Sequence, residues 1–176
     1  MDYNELLLDE HSDKIDNIID INITLKSHQL AMVKKCLEIE NLNISGFGIM
    51  SDKPGTGKTF VILSLIFLSK KKINIIIVPQ NIILQWCDAI DNFSNGLLKY
   101  KKIIDYSDIL ELYNEKTDLL NNDILITTSL YYNVIATTLK SNFLFVERVF
   151  LMKLIVYQIL LLVMLMPILF GLYQQL

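Results

Sequence analysis

The segment Lys53-Pro54-Gly55-Thr56-Gly57-Lys58-Thr59 constrains the fold more than any other stretch, because of what lies on either side of it. Gly46-Phe47-Gly48-Ile49-Met50 before it is short, apolar and bounded by polar residues, as a buried strand is. Phe60 to Ser69 after it is apolar enough to predict a helix buried on most sides, and Lys70-Lys71-Lys72 supplies cations suited to a helix C-terminus. A strand that enters a glycine loop and leaves as a helix begins an alternation that the chain then repeats. Ile73 to Val78 predicts a strand, Asn81 to Phe93 a helix, Lys102 to Ile104 a strand and Ser107 to Tyr113 a helix. Asp123 to Thr127 and Val146 to Leu151 predict two more strands, and Ser27 to Glu40 a helix ahead of the first. Strands alternating with helices imply an α/β fold, a parallel sheet with helices on both faces. Ligands of such sheets bind outside the carboxyl ends of the strands, where residues 51–59 fall.

Each residue type of that loop has a physical task. Gly55 and Gly57 allow backbone angles that a side chain forbids, so successive N–H groups can turn toward phosphate oxygens. Lys58 can reach the β- and γ-phosphates as a point charge, the Thr59 hydroxyl can ligate Mg²⁺, and the following helix adds its positive end. Against the phosphate-binding P-loop pattern G-x-x-x-x-G-K-[ST], the first glycine is replaced by Asp52.

With 176 residues and a net charge of −3, the chain has room for one ordinary domain and carries no global basic field, so any nucleic-acid contact must use a local surface. Cys36 and Cys87 lack the spacing of a zinc site or disulfide framework, which fits a reducing, intracellular setting. The acidic first twenty residues do not read as a secretory signal. Isoleucine occurs 26 times, asparagine 14 times, alanine three times and arginine once, a bias that points to an A/T-rich gene. His11 and His28 have no partner spacing and are not assigned to catalysis.

Four motifs in order give a resemblance. Ser-Asp-Lys-Pro-Gly-Thr-Gly-Lys-Thr at 51–59 resembles the Ala-Asp-Glu-x-Gly-x-Gly-Lys-Thr loop of Swi/Snf-like superfamily 2 helicases. Leu25-Lys26-Ser27-His28-Gln29-Leu30 is similar to that family's preceding segment, whose glutamine meets the adenine edge. Ile77 to Trp86 resembles its V-P-x-x-x-x-x-Q-W segment, and Asp123 to Leu130 the next one. The resemblance covers about 25–151 and implies an N-terminal RecA-like domain of the P-loop NTPases. It implies that ATP is held by Gln29, Pro54, Gly55, Thr56, Gly57, Lys58 and Thr59, with Thr59 on Mg²⁺ and Lys58 and Thr59 as catalytic residues. It also implies contact with DNA or RNA through Pro79, Gln85, Trp86, Thr127 and Thr128. Read from the residues alone, Trp86 on an apolar helix face suits a core position, and Thr127 and Thr128 suit a strand.

The resemblance breaks after Leu151. There the family has Asp-Glu-Ala-Asp or Asp-Glu-x-His, whose carboxylates hold Mg²⁺ and orient water, whereas this chain reads Met152-Lys153-Leu154-Ile155-Val156. The last 23 residues carry no charge, which is long and apolar enough for a nominal membrane span. A one-base shift of frame offers a different origin. The Met152 codon is ATG, so the shifted codon over Lys153 is GAA and encodes Glu; the neighbouring codons permit Asp-Glu-Ala-Asp-Ser, and those for residues 173–176 permit Ile-Ser-Ala-Thr, the family's next signature.

The sequence therefore divides into an acidic lead-in at 1–24, a partial RecA-like ATP-binding domain at 25–151, incomplete at its C-terminus, and an out-of-frame tail at 152–176 that is not a native element. The expected function is that of an ATP-binding fragment of a nucleic-acid-dependent ATPase in which hydrolysis is lost. A/T-rich coding and Phe145 to Leu151 resemble poxvirus early transcription factor helicases and giant-virus relatives, which implies transcription machinery as partner and host cytoplasm or virion as location. The alternatives are another P-loop NTPase, disfavoured by the single arginine, and a tail-anchored membrane protein.

Overall fold

Two short strands buried at every residue, Asn74–Ile77 and Ile124–Thr127, form the centre of the sheet, their isoleucines and leucine leaving neither face to water. The computed structural model describes residues 8, 11–42, 47–69, 73–114, 121–142, 144–155 and 158–165, without the side chains of 42, 47, 153–155 and 158–165. The elements are α1 (Ser27–Leu42), β1 (Phe47–Met50), α2 (Lys58–Ser69), β2 (Asn74–Ile77), a 3₁₀ turn (Gln80–Ile82), α3 (Ile83–Ser94) and β3 (Tyr100–Ile103). They continue with α4 (Tyr106–Asn114), β4 (Ile124–Thr127), α5 (Ser129–Ser141), β5 (Arg148–Ile155) and β6 (Gln158–Leu165). The lysine triplet at 70–72 lies outside the described residues.

The sheet runs in the order β1-β6-β5-β2-β4-β3. Strands β5, β2, β4 and β3 are mutually parallel, with Ile76 of β2 opposite both Phe150 and Ile126. The expectation of an all-parallel sheet is corrected at one strand. β6 is antiparallel to β5 and to β1, because only two residues separate it from β5 and a parallel return needs a crossover of about a dozen. Two reversals cancel, so β1 points the same way as the four parallel strands. Their carboxyl ends therefore share one edge of the sheet.

Side-chain alternation sorts the sheet into two cores. Met50, Ile76, Val78, Ile124, Ile126, Phe150 and Met152 face Val33, Ile62, Ile66, Trp86, Ile90 and Phe93 of α1, α2 and α3. Ile75, Ile77, Ile103 and Leu125 face Ile109 and Leu112 of α4 and Ile135 and Leu139 of α5. Helices thus cover both faces, as a parallel sheet requires. α2 is apolar all round, and its Ser64 hydroxyl donates to the Phe60 carbonyl at 2.6 Å, so no polar group is stranded there. Irregular chain from 11 to 26 also lies on this core: Ile15, Ile21 and Ile23 pack against it, and the Asn22 amide donates to Phe93 O at 2.9 Å.

α4 begins with a reciprocal cap. Asp105 Oδ1 accepts from the Asp108 amide at 2.9 Å, and Asp108 Oδ2 accepts from the amides of Asp105 at 3.1 Å and Ile104 at 2.7 Å. The Ser107 hydroxyl, donating to Asp105 Oδ1 at 2.6 Å, and then the Asp108 amide hold the Asp105 carboxyl below the ordinary carboxylate range. Across the Leu151/Met152 boundary the backbone continues as strand, and the Met152 side chain is buried in the first core. No helix among the described residues is long and apolar enough to cross a membrane.

Candidate functional site

The loop leaves β1 at the shared carboxyl edge and ends in the first turn of α2. Gly55 and Gly57 both sit at positive φ, +85° and +84°, where a β-carbon is strained. Gly57 is constrained twice, because a Cβ built on it would collide with Nε2 of Gln29 and lie 3.3 Å from its Cδ. Thr56 Oγ1 ties the turn by donating to Lys53 O at 3.0 Å.

Lys58 is buried, with its ammonium donating to the carbonyls of Asp52 at 2.6 Å and Lys53 at 2.8 Å. Burial pulls it below the ordinary ammonium range, and the Asp52 carboxylate opposes that shift. The positive charge is thereby held at the mouth of the loop rather than swinging in solvent. Thr59, next along α2, is half-buried.

Gln29, in the first turn of α1, is packed beneath the loop. Its Oε1 accepts from the Lys26 amide at 2.8 Å and its Nε2 donates to the Thr56 carbonyl at 3.0 Å, so both ends of the amide are used. His28 approaches the same carbonyl with Nε2 at 3.2 Å, a contact that requires a proton on that nitrogen. Sequence reasoning left His28 unassigned because its partner lies 28 residues away. Gln29, Pro54, Gly55, Thr56, Gly57, Lys58 and Thr59 are all brought together by this arrangement.

The residues read as a nucleic-acid surface divide. Pro79 and exposed Gln85 flank the 3₁₀ turn and the start of α3, beyond the carboxyl end of β2. Trp86 is 3% exposed and belongs to the first core. Thr127 is fully buried, its hydroxyl donating to Ile103 O at 2.7 Å and so joining β4 to β3. Thr128 precedes α5 as its N-cap residue, half-buried.

For a nucleoside triphosphate with Mg²⁺ the fit is good on the phosphate side and thin on the metal side. The glycine cradle and the caged lysine suit phosphate, and Thr59 would offer one hydroxyl to the ion. Among the described residues no cluster of three His, Cys, Asp or Glu could hold a metal. β5 carries Met152 in register with Leu161 of β6, which is in register with Met50, two strand spacings from the start of the loop. That row ends in thioethers, not carboxylates.

Arg148, the single arginine, was not legible as a structural residue. It is fully buried at the start of β5, paired through Nε and Nη2 with both carboxylate oxygens of Glu40, the latter at 2.6 Å. Nη1 donates to Ser69 Oγ at 2.7 Å. The pair ties the far ends of α1 and α2, whose near ends carry Gln29 and Lys58. Cys36 lies beside it, and burial, with the Glu40 charge, pushes its thiol up to about 12.

Residues 28–152 match the model of the SNF2-related domain. Among solved structures the chain is similar to a Sulfolobus solfataricus SWI2/SNF2 ATPase core in complex with dsDNA, at 20% identity and a TM-score of 0.52, over 73% of this chain. The chain spans a quarter of the length of that protein. A comparison with curated proteins found no match.

Proposed function

The chain belongs to the SNF2-related domain family and has its RecA-like fold, and on that premise we propose that it binds ATP at residues 54–59 as the N-terminal lobe of a Swi/Snf-like superfamily 2 helicase. The observation that carries this reading is the caged loop. Gly55 and Gly57 at positive φ, Lys58 held by two loop carbonyls and Gln29 beneath Thr56 form a preorganised phosphate cradle. When bound, Mg²⁺ would neutralise charge on the phosphates, with Thr59 as its protein ligand. Gln29 supports the loop, and its adenine contact in this reading requires it to exchange one present partner.

Two finer proposals accompany this. The carboxyl edge at Pro79, Gln85 and Thr128 contacts DNA or RNA, supported by the dsDNA held by the similar Sulfolobus ATPase core; Trp86 and Thr127 serve there as buried supports. Hydrolysis is lost, because Met152 and Lys153 stand where the family has its metal-holding and water-orienting carboxylates, groups worth ~10²–10³-fold in turnover each. We attribute that replacement to a one-base shift of frame after Leu151 in an intracellular viral helicase associated with transcription, rather than to a membrane anchor.

The test is binding of a fluorescent ATP analogue by the full chain and by Lys58→Ala, with Trp86→Ala as a stability control. The expected result is loss of binding for Lys58→Ala only; equal affinity for Lys58→Ala and the unaltered chain refutes the site. Phosphate release with and without nucleic acid should stay at background, and robust Lys58-dependent hydrolysis refutes the lost-catalysis reading. Resequencing across the codons for Leu151 and Met152 tests the frame.

A further inference from the structure

β1 is weakly embedded for a strand that carries the loop. It is the terminal strand of the sheet, and β6 is its one ladder partner among the described residues. Met50 on one side is buried against α1 and α2, but Ile49 on the other is 56% exposed, since α4 and α5 cover only the β2-β4-β3 end. β6, in contrast, is paired along both edges: residues 161–164 face β1 from Met50 back to Phe47 and β5 from Met152 back to Val149. Among the described residues, the ladder joining β1 to the parallel sheet therefore passes through residues 161–164.

We propose that the segment 158–165 is the strand that couples the loop-bearing strand to the sheet, so that order in residues 47–59 depends on it. The role needs only backbone N–H and C=O groups and an extended apolar sequence, so it holds whichever frame the segment came from. Its consequence for nucleotide affinity rests on the reading of 54–59 as the ATP site.

The separation of the two ladders supplies the test. Neighbouring residues of β6 direct their N–H groups to opposite edges, so Leu161→Pro and Leu162→Pro each delete a donor to a different neighbour. In the full chain, exchange of those alternate β1 amides that donate to β6 should speed by at least about tenfold in the variant that cuts the β1 ladder. Amides of Ile76 and Ile126 should stay protected, and Leu161→Val, which keeps its N–H, should change nothing. Should both proline variants fail to fold, exchange of the unaltered chain at low urea decides. β1 and β6 amides should then open together, below the free energy at which β2 and β4 open. β1 protected in both proline variants, or β1 opening with β2 and β4 while β6 exchanges separately, overturns the coupling. Loss of β1 protection without loss of ATP-analogue affinity overturns the nucleotide consequence alone, and an unaltered chain that binds no analogue refutes the ATP reading while leaving the exchange result standing.

Discussion

Replacing Gly57 by alanine should cost more than replacing Gly55, although the two share a backbone conformation. Both sit near φ +85°, so either substitution pays the left-handed penalty of ~1–2 kcal/mol. Nothing lies within 4 Å of a Cβ on Gly55, and the penalty ends there. A Cβ on Gly57 must displace the Gln29 amide, which is buried and bonded at both ends. The overlap itself is relieved by rotating Gln29 away, so the cost is that of the two bonds it leaves, ~1 kcal/mol each. His28 still faces the Thr56 carbonyl, so that oxygen is not orphaned and no desolvation penalty is added. Gly57→Ala should thus destabilise by ~3–4 kcal/mol and Gly55→Ala by ~1–2 kcal/mol. In a Gln29→Ala background the collision is gone, and Gly57→Ala should fall to the Gly55 value, a coupling of ~2 kcal/mol in urea denaturation. An equal cost of Gly57→Ala in both backgrounds refutes the argument that Gln29 is what the glycine makes room for.

Glu40→Ala leaves Arg148 buried without its carboxylate and should cost ~3–5 kcal/mol, whereas Glu40→Leu combined with Arg148→Met should recover most of it in thermal unfolding. Asp105 has a folded pKa depressed below its unfolded value, so its contribution is complete above the unfolded pKa and is lost as pH falls through the folded one. Stability below about pH 4 should therefore fall less steeply in Asp105→Ala than in the unaltered chain, and identical acid slopes dispose of the cap. Cys36, pushed up to about 12, should resist alkylation at pH 8 in the folded chain and react fully in urea, which mass spectrometry of the modified protein reads directly.

What could be read in advance follows from the range of the interaction. The strand–loop–helix unit at 47–69 and the apolar strands β2 and β4 are written locally, in glycine chemistry and unbroken Ile/Leu runs, and their elements lie where the pattern predicts them. α5 went unassigned because Ser129 to Ser141 mixes Tyr, Asn and Thr with its apolar residues, and its buried face is the short set Ile135, Ala136, Thr138 and Leu139. Arg148 found its carboxylate 108 residues away, a distance at which spacing carries no signal. The segment after Leu154 is ambiguous for a different reason. A charge-free apolar run has the same hydropathy whether it spans a bilayer, pads a core or forms an interior strand, and periodicity does not separate those outcomes. Residues 158–165 of that run pair as a strand with β5 on one side and β1 on the other.

The order of strands also separates two requirements that are easily treated as one. A phosphate cradle is assembled from backbone at 53–59, one lysine and the glutamine beneath it, all set by β1, α2 and the start of α1. A hydrolytic site needs in addition a side chain delivered by another strand, at a register fixed across the sheet. Here the row that reaches the start of the loop passes from Met152 through Leu161 to Met50, and it brings no carboxylate there. Met152 lies with Met50 in the core against α1 and α2, where an uncompensated carboxylate would cost several kcal/mol unless a metal or a hydrogen-bond donor met it. An apolar residue at 152 thus forgoes, in the proposed reading, a metal ligand and spares the centre of the sheet a buried charge. In the proposed reading, this is why the chain keeps an ordered cradle: binding depends on β1 and its neighbours, and catalysis on what β5 presents.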